Sequence, residues 1–145
     1  MKIRTTKIRK RIKELICQMD FDGIGSLDGF TIYERRDARE DRRIGFGCVR
    51  FVFSGIEENV QRWVNNATNP PWYEEVQEPK EGDLVTYFFL SKIQDHNSQP
   101  IATHTGLYLG NHRVRSKFRE SHVYEHPLED IPENYGLEVR FFREL

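Results

Sequence analysis

Two cysteines and five histidines are the side chains of this 145-residue chain best suited to nucleophilic and acid–base chemistry. Cys48 follows Gly45 and Gly47 and begins an apolar run that ends at Phe53. Glycines permit a sharp turn, and a thiol at the start of a helix loses its proton more easily because the N–H groups there stabilise the thiolate. Cys48 is therefore the candidate nucleophile. Cys17 lies in an apolar pattern of helical spacing and is predicted to be a small buried residue.

Two strand-like segments carry a second signal. The first begins Gly82-Asp83-Leu84-Val85, and the second reads His104-Thr105-Gly106-Leu107-Tyr108-Leu109-Gly110-Asn111. These segments resemble the paired central strands of NlpC-type papain-like cysteine peptidases and amidases, in which the second strand begins with the catalytic histidine. The order of Cys48, the GDLV strand and His104 also resembles that family. The resemblance extends from Gly45 to Phe118 and implies a papain-like core.

The resemblance also implies roles for individual residues. Cys48 would attack an amide or related acyl bond, and His104 would act as general base and then as general acid. A third polar residue, on the strand after the histidine strand, would orient the imidazole. Counting along the hairpin from His104 places that residue near Arg115-Ser116-Lys117, where Ser116 could donate or accept a hydrogen bond. Four other residues stay open as alternatives for this role: His122, His126, Glu125 and Asp83.

The surroundings of Cys48 depart from the family pattern. The sequence Gly47-Cys48-Val49-Arg50-Phe51 has neither the usual Asp before the cysteine nor the small pair after it. Ser116 likewise stands where His, Asn or Gln is expected. Two functions therefore remain open. One is a thiol hydrolase or acyltransferase, and the other is a catalytically inactive papain-like module that binds a protein or another intracellular partner.

The spacing of apolar residues predicts helices first and an antiparallel sheet second. Apolar residues recur at three- and four-residue steps over 6–19 and 56–67, which is typical of one face of a helix. Residues 127–135 are predicted to be a short helical or looped crossing. The predicted fold class is α+β, with N-terminal helices packed on an antiparallel sheet of about five strands. β-branched and aromatic content predicts strands over 30–33, 84–90, 101–109, 112–118, 123–126 and 137–142.

The length indicates one domain, 1–145, made of an N-terminal helix and variable region to residue 43 and a core over 44–145. The chain has 22 basic and 23 acidic residues, so its net charge of -1 gives no overall attraction to nucleic acid. The segment Lys2–Lys13, however, has seven basic residues and no acidic one, which makes it the part that would contact nucleic acid.

The sequence contains neither a run of about 18 apolar residues nor the pattern of a secretory signal peptide. A cytoplasmic protein without a transmembrane helix is therefore predicted, with a peptide, protein or other acyl compound as substrate. A disulfide between Cys17 and Cys48 is not expected in a reducing compartment. No cofactor is predicted. No metal site is predicted either, since His122 and His126 on one strand would lie about 13 Å apart.

Overall fold

The computed structural model describes residues 26–27, 29–34, 72–89, 101–117, 123–132 and 135–145, together with four single residues of helical backbone, Glu14, Met19, Val52 and Trp63. Both cysteines, His122 and the basic segment 2–13 lie outside the described residues. The predicted helical stretches 6–19 and 56–67 also lie outside them, apart from Glu14, Met19 and Trp63.

Eight strands form a single sheet in the described part of the chain. Their order across the sheet is β1-β2-β7-β6-β5-β4-β8-β3, and every neighbouring pair is antiparallel. The C-terminal strand therefore lies inside the sheet, between β4 and β3. The strands are β1 Ser26–Leu27, β2 Phe30–Glu34, β3 Tyr73–Val76, β4 Leu84–Phe89, β5 Ile101–Gly110, β6 Arg113–Lys117, β7 Val123–Pro127 and β8 Glu138–Glu144.

The predicted α+β class, with N-terminal helices on a papain-like core, is wrong for the residues that the structure describes. These residues form a mostly antiparallel β-sheet, and no helix has its bounds among them. β3 is not among the predicted strands; it lies before β4, where Tyr73 is buried and its segment pairs with β8. β1 was also missed. It joins β2 through Gly29, whose φ of +87° permits a tight turn between them.

One face of the sheet, here called the core face, carries the main apolar core. Val85 and Tyr87 of β4, Val114 of β6 and Tyr124 of β7 point to it and are fully buried. Residues 128–132 and Tyr135, here called the cover segment, pack across this face after β7. Other members of the same core are Met19, Phe30, Tyr108, Val139 and Phe141.

Asp83 fixes the start of β4. Its carboxylate accepts a hydrogen bond from the Lys80 backbone N–H at 2.7 Å and two from the Arg143 guanidinium at 2.9 and 2.7 Å. Arg143 is the main cause that lowers the pKa of Asp83, because it stabilises the carboxylate. The Asp of the GDLV motif thus ties the turn before β4 to β8.

The opposite face is covered in part by an aromatic contact. The Trp63 ring packs edge-on against Tyr73 at 5.0 Å and against Phe142 at 5.2 Å.

Among the residues that the structure describes, none belongs to a helix long and apolar enough to cross a membrane.

Two glycines with nearly equal φ angles separate the effect of a steric clash from the effect of a positive φ. Gly136 has a φ of +92°, and a Cβ added there would overlap the Phe88 carbonyl. Gly82 has a φ of +94°, and a Cβ added there would meet no atom within 4 Å. Both alanine variants carry the strain of a positive φ, about 1–2 kcal/mol. We expect Gly136→Ala to lower the free energy of unfolding by at least about 2 kcal/mol more than Gly82→Ala, measured by urea denaturation. Equal losses would contradict the close approach of Gly136 to β4.

Candidate functional site

His104 lies within β5 and points into the core face. Its side chain is buried, stacked on the Tyr135 ring at 4.9 Å between ring centroids and tilted against Tyr87 at 5.8 Å. Tyr87 is its cross-strand partner on β4, and Tyr135 belongs to the cover segment. The imidazole predicted to be the general base is therefore enclosed between a central strand and the cover segment.

Ser116 lies on the same face of the neighbouring strand. The register of β5 and β6 pairs Tyr108 with Val114, which places Ser116 opposite Gly106 and one alternate position from His104. A Cβ at Gly106 would lie 2.7 Å from Val114 Cγ1 and 2.9 Å from Ser116 Cβ. The space above Gly106 is thus occupied by side chains of β6.

His126 completes a buried polar cluster with these two residues. The Ser116 hydroxyl and His126 Nε2 are 2.7 Å apart, and His126 Nδ1 lies 2.8 Å from the Pro127 carbonyl. A carbonyl only accepts, so Nδ1 carries the proton; in the neutral ring Nε2 then accepts from the serine hydroxyl. The Phe30 ring stacks on the imidazole at 5.3 Å. The cluster of His104, Ser116 and His126 is here called the histidine cluster.

Both imidazoles of the histidine cluster are held neutral. Burial lowers the pKa of His104 to about 3, with a smaller contribution from the charge that His126 would carry. Burial also lowers the pKa of His126 to about 4; the hydrogen bond to the Pro127 carbonyl opposes this shift, and Arg113 adds to it. A general base works best with a pKa near the working pH, so His104 in this environment is a poor proton acceptor.

Asp83 and Glu125, which were also candidates for orienting the imidazole, are bound to arginines instead. The Asp83 carboxylate accepts its hydrogen bonds from Arg143 at the start of β4. Glu125 is on the opposite face, where its carboxylate accepts two hydrogen bonds from Arg115 at 3.1 and 2.8 Å. Cys48 and His122 lie outside the described residues. The predicted pairing of Cys48 with His104 therefore stays a prediction.

The sequence alone did not indicate that a cover segment shields these residues. Its apolar members Leu128, Ile131 and Tyr135 follow one another at three- and four-residue steps, and this spacing was the available signal that the crossing has a buried side. His126 was one of several candidates for the orienting role. Nothing in the sequence around it predicts its contact with Ser116.

In the described part of the chain no group of three or more His, Cys, Asp or Glu residues could hold a metal ion.

The hydrogen bond between Ser116 and His126 predicts a measurable coupling. Ser116→Ala leaves a buried acceptor unsatisfied, and His126→Phe leaves a buried hydroxyl unsatisfied, each at about 1–3 kcal/mol. The double variant removes both polar groups, so we expect its loss of unfolding free energy to be at least about 1 kcal/mol smaller than the sum of the single losses. Urea denaturation of the four proteins measures this. Losses that add within about 0.5 kcal/mol would contradict the bond.

Comparisons with known proteins assign no family to this sheet. No protein-family model matches the chain, and neither a curated protein nor a solved structure is detectably similar to it.

Proposed function

We propose that this chain is a non-catalytic module that binds a protein partner. The observation that supports this proposal is the burial of the histidine cluster: His104 is 3% exposed and Ser116 is fully buried. An acyl substrate must reach both the nucleophile and the base that serves it. In this arrangement the base lies beneath Tyr135, and its polar neighbours are used to satisfy one another.

An exposed apolar cluster offers a surface for such a partner. Phe89 and Ile101 face each other across the ends of β4 and β5, and they are 42% and 60% exposed. Leu137, which precedes β8, is 43% exposed, and the glycine before it contacts β4 next to Phe89. Large apolar side chains grouped on a surface are typical of protein interaction sites. These three residues lie at one end of the central strands.

This surface cluster can be tested for a role in folding. We expect the double variant Phe89→Ser/Ile101→Ser to change the free energy of unfolding by no more than about 1 kcal/mol, because exposed positions contribute little to the core. Val85→Ala on the same strand is the buried control and should cost about 2 kcal/mol. Urea denaturation compares the variants. A loss in the double variant as large as that of the control would place Phe89 and Ile101 in the core and remove this support.

A thiol hydrolase or acyltransferase is the second candidate. The observation in its favour is that His104 and Ser116 lie on the same face of neighbouring strands, as the resemblance to cysteine peptidases implies. In this function the Cys48 thiolate would attack an acyl carbon and displace the leaving group. His104 would take the thiol proton and return it to the leaving group.

The reactivity of Cys48 distinguishes the two functions. In a Cys17→Ser background, where Cys48 is the sole thiol, we expect the rate of iodoacetamide alkylation to follow an ordinary thiol pKa of about 8.5. His104→Phe should leave that profile unchanged, because in a non-catalytic module His104 does not act on the Cys48 thiol, and the phenylalanine ring keeps the contact with Tyr135. His112→Asn is the matched control, since His112 is an exposed histidine whose φ of 58° asparagine tolerates.

The opposite result supports catalysis. A rapidly alkylated thiolate that persists below about pH 7, disappears in His104→Phe and survives in His112→Asn would show a Cys48–His104 pair. That result would overturn the binding proposal in favour of the thiol function.

A further inference from the structure

We infer that the exposed apolar cluster of Phe89, Ile101 and Leu137 binds one amphipathic helix of the protein partner, which lies across the ends of the strands. This inference rests on the proposed function and names the form of the partner. It is based on the row that the three side chains form, on the contacts that hold this row in place and on the area that it exposes.

The three side chains of the exposed apolar cluster form one row on the core face. Phe89 pairs with Ile101 across β4 and β5, and the register of β4 and β8, continued by one position, brings Leu137 opposite Phe89. Side chains two residues apart on a strand point to the same face, so Phe89 shares the face of Tyr87, and Leu137 shares that of Val139. Tyr87 and Val139 belong to the buried core. The row therefore continues the core face beyond its buried part.

Contacts beside the row hold it in place. β5 has one extra residue, Thr103, where it passes Tyr87, and the Thr103 hydroxyl lies 3.1 Å from the Tyr87 carbonyl and 2.6 Å from the Tyr135 carbonyl. Gly136, the next residue after Tyr135, passes so close to β4 that a Cβ there would overlap a backbone carbonyl. The chain that leads into Leu137 is thus fixed against the end of β4. A surface that is already ordered loses less conformational entropy when a partner binds.

The length of the row matches the spacing of side chains along one face of a helix. Neighbouring strands lie about 4.8 Å apart, so a row across three strands is about 10 Å long. Residues i, i+4 and i+7 of an α-helix lie on one face and extend over about 10.5 Å along the helix axis. Three side chains on one face of an extended peptide extend over about 13 Å. A helix across the strands therefore brings one side chain to each member of the row.

The exposed area of the row suits a single helix better than a folded domain or a second copy of this chain. Phe89, Ile101 and Leu137 are 42%, 60% and 43% exposed. With a full area of about 200 Å² for a large apolar side chain, the row exposes about 300 Å². A stable contact between two folded proteins buries about 800 Å² on each partner. A helix that inserts three apolar side chains is held by a much smaller surface.

Two synthetic peptides of the same composition test this inference. Each is an Ala/Glu/Lys helix of about 18 residues with three leucines. The one-faced peptide has its leucines at i, i+4 and i+7, and the scattered peptide has them spread around the helix. We expect the one-faced peptide to shift the NMR signals of the Ile101 and Leu137 methyl groups in the unmodified chain. It should bind at least about tenfold more tightly than the scattered peptide, because only its leucines reach the row together.

Matched double variants assign the binding to the row. Phe89→Ser/Ile101→Ser should weaken binding of the one-faced peptide at least about tenfold. Tyr33→Ser/Leu145→Ser removes two exposed apolar side chains outside the row and should leave the affinity unchanged. Equal affinity of the chain for the two peptides, or equal affinity of the two double variants for the one-faced peptide, would overturn the inference.

Other occupants of the row give different results. A dimer that forms with rising concentration in sedimentation, and that Phe89→Ser/Ile101→Ser abolishes, would show that a second copy of the chain occupies the row and would overturn the inference. Peptide-induced shifts elsewhere in the chain, with the Ile101 methyl signals unchanged, would also overturn it but would leave the binding module in place. Failure of the proposed function itself is seen separately, in a reactive Cys48 thiolate.

Discussion

Buried polar groups need hydrogen-bond partners, and the arrangement of the core face depends on this constraint. Ser116 and His126 satisfy each other, and the second ring nitrogen of His126 donates to the chain as it leaves β7. Tyr87 is fully buried at the centre of the sheet, and its hydroxyl donates to Leu128. The Tyr87 bond joins β4 to the cover segment and the Ser116 bond joins β6 to β7, whereas the Nδ1 bond of His126 lies within β7. The polar groups of the core therefore help determine where the cover segment lies.

The same constraint explains why two histidines that could do chemistry are held neutral. An imidazole is reactive in general acid–base catalysis when water or a charged partner stabilises its protonated form. His104 is instead enclosed by Tyr87 and Tyr135, and burial is the main cause of its lowered pKa. The tertiary environment thus favours a structural role for a residue whose sequence context suggested a catalytic one. This environment is the physical reason for proposing a binding module before a thiol hydrolase.

Local sequence patterns predicted most of the central sheet. β-branched and aromatic residues placed β4, β5, β6, β7 and β8 close to their observed bounds. In the turn between β5 and β6, Gly110 and Asn111 have positive φ. These features depend on near neighbours in the chain, so they are readable from it. β1 and β3 escaped notice because each is short and is formed by pairing with a partner strand.

The residue types and their spacing by themselves determined most of the strands and the candidacy of Cys48, and the resemblance added His104 and Ser116. Tertiary structure alone decided that β8 lies between β4 and β3, that Ser116 bonds to His126, and that Asp83 binds Arg143. It also decided that Tyr135 stacks on the His104 ring. These contacts join residues from 10 to 60 positions apart. Propensity and periodicity act within a few residues, whereas burial and hydrogen bonding depend on which distant segments meet.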